Sequence, residues 1–315
     1  MKKLLIILIL SVAMVSCYKD YIKDYTSEGV YFPFQTDVRT MVVGEGMKIQ
    51  IGVDLGGVMD NTKDRNVNFK LDNSLITAAI LASMKNSSLT YIKNGVSSVS
   101  TLLPLPANYF TLSNSSTMVI KSGQHMGSVV LKVDSAAFLA DAATLNPNYV
   151  LPFYITDAKP DSILSTKRYA IIAVKYENML FGNYWHGGVT RVDSAGVSVK
   201  PIIYYTSIPT PENKIWVLTT VGPNSLVAHG YSNQITTKNE MTLTLNGTNI
   251  TVSSAPGSTY TVLPDGASTF NRAKLLQDRR IVLSYKYVSG VKTFYAQDTL
   301  TFRNRIHDGV NEWQN

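Results

Sequence analysis

The stretch YAIIAVKYENMLFGNYWHGGVTRVD (169–193) changes character halfway along, and the reading of the fold turns on that change. Its first nine residues are almost continuously apolar, the pattern of a central strand in a sandwich. After Asn178 glycine and aromatic residues take over. Near-uniform strand patterns then follow, separated by hairpin-like breaks at GPNS (222–225), NGTN (246–249), PDGA (264–267) and VSGV (288–291). Ile281, Leu283, Tyr285 and Tyr287 alternate between two of these breaks, and Leu300 and Phe302 alternate after the last. A meander of this kind without helices predicts an up-and-down barrel over 179–315.

Upstream, Met47, Ile49, Ile51 and Val53 alternate with Lys48, Gln50, Gly52 and Asp54, which predicts a strand with one buried face. Val67, Phe69 and Leu71 repeat the pattern, as do Val129, Leu131 and Val133, and YVLPFYITDA (149–158) reads as a second central strand. Only 71–88 and 135–145 carry alanines and apolar residues at helical spacing, and both read as short crossover helices. Strands at intervals near ten residues with only short helices predict a Greek-key β-sandwich over 30–178. The expected fold class is all-β, a sandwich followed by a closed antiparallel barrel.

The N-terminus, MKKLLIILILSVAMVSC, joins two lysines to an apolar run that suits a signal peptide and is short of a bilayer span. Met14-Val15-Ser16-Cys17 resembles a bacterial lipobox, and Cys17 is the only cysteine, so no disulfide can form within the chain. The expectation is a signal peptide over 1–16, lipidation at Cys17 and a polar tether over 17–29. Removing 1–16 leaves 27 bases against 22 acids. The bases are scattered, which argues against nucleic-acid recognition.

The stretch LPANYFTLSNSSTMVIKSGQHMGSVVLKVDSAAFLADAATLNPNYVLPFYITDA (105–158) resembles the N-terminal, Ig-like domain of a Bacteroidetes lipoprotein family encoded within polysaccharide-utilisation loci. The ending DTLTFRNRIHDGVNEWQN (298–315) resembles the lipocalin-like C-terminal domain often paired with it. Asp20, Asp24 and Glu28, soon after the cysteine, resemble the surface-export signal of such lipoproteins. The resemblance implies an outer-membrane, lipid-anchored protein facing the cell exterior. It also implies a role beside polysaccharide capture, with an oligosaccharide or polysaccharide as ligand and an outer-membrane importer complex as partner. Lipocalin barrels open with a G-x-W turn whose tryptophan closes one end under a late-strand arginine. Here Gly182-Asn183-Tyr184-Trp185 is one residue longer, and Arg303 or Arg305 could cover the indole.

His125, His186, His229 and His307 are far apart in sequence and give no metal-ligand spacing, and no G-x-S-x-G elbow occurs. Glycoside hydrolysis needs two carboxylates across a rigid cleft. The acids are sparse and mostly fall in turns, such as Asp60, Asp64 and Asp265, so no catalytic residue, metal or cofactor is expected. Eighteen tyrosines and three tryptophans carry more signal, because sugar C–H faces stack on aromatic rings. Trp216 and Tyr231 are the leading glycan contacts, with Trp185 and Tyr204 behind them, at a shallow outer site near the domain junction or the turns. The chemistry points to a non-catalytic glycan binder. The alternative is an adhesin or envelope assembly protein that binds a protein partner through an exposed apolar patch. Ser135, Ser162, Ser194 and Thr299 each follow an aspartate and precede an apolar residue, the acceptor pattern for O-glycosylation in Bacteroidetes.

Overall fold

The computed structural model describes residues 28–159, 161–204, 212–232 and 239–313; Cys17 and the stretch up to residue 27 lie outside the described residues. The chain is all-β, built as two curled sheets, and the change of sheet falls between Glu177 and Gly182.

The first sheet holds β1 (Gly29–Tyr31), β2 (Thr36–Val42), β3 (Lys48–Gly56), β4 (Arg65–Leu71), β5 (Leu103–Pro104) and β6 (Phe110–Leu112). It continues with β7 (Thr117–Ile120), β8 (Met126–Val133), β9 (Tyr149–Asp157), β10 (Ser162–Ile163) and β11 (Tyr169–Glu177). The order is β10-β1-β3-β8-β7-β4-β9-β11-β2, with β5 on β9 and β6 on β8. The strands β7 and β8 meet at the single pair Ile120–Gly127, and there the sheet folds over into two layers. Ile49, Ile51 and Leu131 from one layer pack on Phe69, Phe153 and Ile172 from the other. The alternation in β3, β4 and β8 is this single buried face.

The continuous apolarity of β9 and β11 has a different cause. Helices α1 (Ala78–Lys85) and α2 (Thr90–Gly95) cover the outer face of this layer. Leu81, Met84 and Ile92 pack there against Val38, Val150, Ile171 and Ala173, while Ile172 and Val174 face the sandwich core. The helix expected over 71–88 is thus confined to 78–85, where Thr77 Oγ1 accepts from Ile80 N. The α2 helix leaves no trace in the sequence pattern, because six residues are too few to show a helical period. The third helix, α3 (Ser135–Ala140), starts where Asp134 accepts from Ala137 N at 2.9 Å.

The second sheet holds β12 (Gly182–Ser194), β13 (Val197–Tyr204), β14 (Lys214–Gly222), β15 (Ser225–His229), β16 (Glu240–Asn246) and β17 (Asn249–Ser254). It ends with β18 (Val262–Pro264), β19 (Ser268–Phe270), β20 (Arg280–Ser289), β21 (Lys292–Ile306) and β22 (Asn311–Trp313). Because β12 pairs with β14 on one side and β21 on the other, the sheet closes on itself. Ile281, Leu283, Tyr285, Tyr287, Leu300 and Phe302 are all buried in its interior. The breaks at 222–225, 246–249 and 288–291 are hairpin turns. PDGA (264–267) is not one, because β18 and β19 both pair with β20 rather than with each other.

One carboxylate ties the two sheets together. Glu45, in the turn after β2, reaches Arg279 Nη2 at 2.6 Å and Arg305 Nη2 at 2.7 Å, and both arginines are buried. Arg279 Nη1 also donates to the Met179 carbonyl at 2.6 Å. Burial alone would raise the Glu45 carboxyl, but Arg305 and Arg279 outweigh it and hold it below the ordinary carboxylate range. This lock fixes the end of β21 against the edge of the first sheet.

Candidate functional site

Strand β2 ends the first sheet, pairing only with β11 among the described strands. Alternation along it sends Val38 toward the helices, while Asp37 and Arg39 share the face of Met41, which lies in the sandwich core. The turn after β21 reaches this edge, where Thr40 Oγ1 donates to the His307 carbonyl. Arg39 then lies between two carboxylates, Asp37 at 3.7 Å and Asp308 at 3.5 Å. Tyr91, from α2, donates to Asp37 Oδ1 at 2.6 Å. Its ring packs with the helix-side cluster while its hydroxyl bonds a residue of the opposite face, so the side chain crosses the strand edge. Gly309 permits this: its φ is +79°, and a Cβ there would come within 2.8 Å of the Tyr91 ring.

Tyr91 therefore forms a wall of two clefts. The helix-side cleft, about 490 Å³, is lined by Thr90, Asn94, Ser98, Asn146, Lys175 and His307 among others. The second, about 450 Å³, has Asp37, Arg39, Asp308 and Gln50 among its lining, with Phe34, Leu89, Met126 and Val310 exposed around them. Burial pushes the Asp37 carboxyl up, and Tyr91 and Arg39 only partly offset it. Among the described residues, Arg39 Nε and Asp308 Oδ1 are buried and make no hydrogen bond. An array of one guanidinium, two carboxylates and a phenol beside exposed apolar side chains can hold a ligand that is hydroxylated on one edge and apolar on its face.

The aromatics favoured by the sequence lie elsewhere. Trp216, Tyr231 and Tyr204 are buried in the barrel, which corrects their assignment to an outer site: a ring with no exposed face cannot stack on a surface glycan. Trp216 stacks on His186 with ring centroids 4.1 Å apart. Its Nε1 has no hydrogen-bond partner among the described residues. Tyr204 and Tyr285 donate to the two oxygens of the fully buried Asp298, and His186 Nε2 lies 3.1 Å from the same carboxylate. His186 and His229 thus meet carboxylates that their sequence neighbours do not reveal, Asp298 and Glu240, whereas His307 lies near the adjacent Asp308 and near Glu312. Among the described residues no group of three or more metal-ligating side chains is gathered. Trp185 is half-buried and faces outward, with the Arg303 guanidinium 4.9 Å from its ring. The inward aromatic after Gly182 is Tyr184, which packs edge-on against Phe302. An indole that faces out cannot close the barrel end, so Tyr184 corrects that expectation for Trp185.

Of the four serine and threonine acceptors, Ser135 is exposed at the start of α3 and Ser194 is half-buried at the end of β12. Ser162 is exposed as well and Thr299 is half-buried, although the aspartates before them are buried, Asp161 on Arg65 and Asp298 in the barrel. Sequence reasoning missed Asp37, Arg39, Tyr91 and Asp308. Asp37 and Arg39 alternate along one strand, but nothing in the chain links them to a turn some 270 residues away.

Residues 23–162 match a family model that describes an N-terminal domain. No curated protein matches the chain. A Bacteroides ovatus protein of unknown function is 22% identical and superposes with a TM-score of 0.64, covering 89% of this chain and 95% of its own, which shows a shared fold. A multidomain B. ovatus protein including DUF1735 is 12% identical with a TM-score of 0.44, covering 88% of this chain and 95% of its own. A B. ovatus structure provisionally described as a carbohydrate binding protein is 13% identical with a TM-score of 0.32, covering 91% of this chain and 100% of its own. The last two superpose too loosely to support an argument. None of the three is described by a catalytic activity. The N-terminal match covers less than half of the chain, and the shared fold extends over both sheets.

Proposed function

We propose that this protein is a lipid-anchored cell-surface lipoprotein that binds glycan without cleaving it, in support of polysaccharide capture by an outer-membrane importer. The observation that carries this reading is the Asp37–Arg39–Asp308 array beside Tyr91, in clefts of about 450 and 490 Å³. Sugar hydroxyls need carboxylate and guanidinium partners, and sugar C–H faces need an aromatic or apolar wall. These volumes fall in the usual range for small-ligand pockets. The same array argues against hydrolysis, since a glycosidase leaves the space between its two carboxylates to the scissile bond. Here Arg39 fills that space and contacts both acids.

Affinity electrophoresis through gels containing polysaccharides that induce expression of this protein tests the reading. The protein should be retarded by at least one of them. Arg39→Met should weaken that retardation about tenfold or more, with the β-sheet circular dichroism unchanged, as the loss of a charge-assisted contact implies. Mobility unaffected by every inducing polysaccharide would remove the reading. Anchoring is tested separately at Cys17. Cys17→Ser should give a folded protein released into the soluble fraction, because the first strand begins only at Gly29. A Cys17→Ser protein that stays with membranes through a salt wash would overturn the lipoprotein assignment.

A further inference from the structure

Resting on the saccharide reading above, we propose that the 450 Å³ cleft selects sugars bearing a methyl-terminated substituent, such as an acetamido, O-acetyl or 6-deoxy group, over unsubstituted hexoses. Phe34 is 51% exposed, Leu89 37%, Met126 60% and Val310 60%, and all four line this one cleft. They come from the β1–β2 connection, the lead into α2, the start of β8 and the β21–β22 turn. Four large apolar side chains gathered from four distant segments around one cavity amount to an apolar ring left uncovered by the fold.

Beneath that ring lies the Arg39 guanidinium, 29% exposed as a side chain and held 3.7 Å from Asp37 and 3.5 Å from Asp308. A sugar hydroxyl can accept from the exposed part of that guanidinium. An apolar segment of a protein partner would instead take that guanidinium out of water without giving it an acceptor, which is unfavourable. The occupant is therefore hydroxylated where it meets the floor and apolar where it meets the ring. An unsubstituted hexose presents hydroxyls around its whole edge, so some would face Phe34, Leu89, Met126 and Val310 with no partner. A methyl group at that edge buries apolar area in their place. The helix-side cleft has one large exposed apolar side chain in its lining, Ile306, beside Thr90, Asn94, Ser98 and Asn146, and so no such ring. Selection then acts on one sugar unit, while the neighbouring unit across Tyr91 need carry no substituent.

The test uses the full mature chain with Cys17→Ser and matched oligosaccharides of equal length and linkage. Calorimetric titration compares chito- with cello-oligosaccharides, acetylated with deacetylated xylo-oligosaccharides, and L-fuco- with L-galacto-oligosaccharides. At least one methyl-bearing member should bind about tenfold or more tightly than its partner, the discrimination that one apolar group gives in a fitted pocket. Met126→Ser should bring that ratio toward one. Equal affinity within every pair that binds would overturn the inference and leave the saccharide reading standing. Binding of no member of any pair would remove both, and loss of an envelope protein from pull-downs with Met126→Ser would then point to a protein ligand.

Discussion

Replacing Trp216 by alanine is expected to lower the unfolding free energy by about 3–5 kcal/mol, the usual cost of deleting a large buried aromatic. The indole is fully enclosed, packed on the His186 ring and within the cluster that includes Tyr184, Leu218 and Phe302. Nothing on the described elements can fill the space without moving a strand of a closed barrel. Trp216→Phe should cost much less than alanine, because it keeps a ring on His186 and removes a buried N–H that has no partner. Trp185→Ala provides the contrast. That ring is half-buried and meets Arg303 from outside, so its loss should cost about 1 kcal/mol. Denaturant unfolding followed by circular dichroism measures all three. An unchanged midpoint for Trp216→Ala would show that the ring is not core and would reopen an outer site there.

The second large effect is expected at Glu45. Glu45→Gln removes the charge that faces Arg279 and Arg305, both of which remain buried. Breaking a buried pair from one side costs about 3–5 kcal/mol, and the lower end applies here because the Glu45 carboxylate is 28% exposed and Glu312 still pairs with Arg305. The effect carries a pH signature. The Glu45 carboxyl titrates below its ordinary value of 4.5 in the folded protein. Its contribution is therefore complete above that value and is lost as pH falls through the depressed folded pKa. The gap between the native protein and Glu45→Gln should be full at pH 7 and should close as pH falls below 4.5 through the depressed folded pKa. A gap that stayed constant over that range would mean that Glu45 acts through shape rather than charge. Since Arg305 precedes the turn bearing His307 and Asp308, Glu45→Gln should also weaken ligand binding at the β2 edge, by less than Arg39→Met.

The amino-acid sequence by itself determined the all-β class, the run of strands with one buried face, three of the four barrel turns and the change of sheet after Glu177. These are local properties. A period of two follows from backbone geometry, and a turn from the few residues that tolerate its dihedrals. Periodicity does not decide which face turns inward. KIWVLTT (214–220) sets Lys214, Trp216, Leu218 and Thr220 on one side and a mixed set on the other, and only closure of β12 on β14 and β21 decides that Trp216 is buried. The cleft was less legible still. Asp37 and Arg39 are ordinary charged residues on a strand, and Asp308 reads as a turn residue. Tertiary structure alone brings Asp308 to Arg39 and gathers Phe34, Leu89, Met126 and Val310 around them, because pairing between segments so far apart in the chain is set by the packing of whole sheets and leaves no periodic trace in either segment.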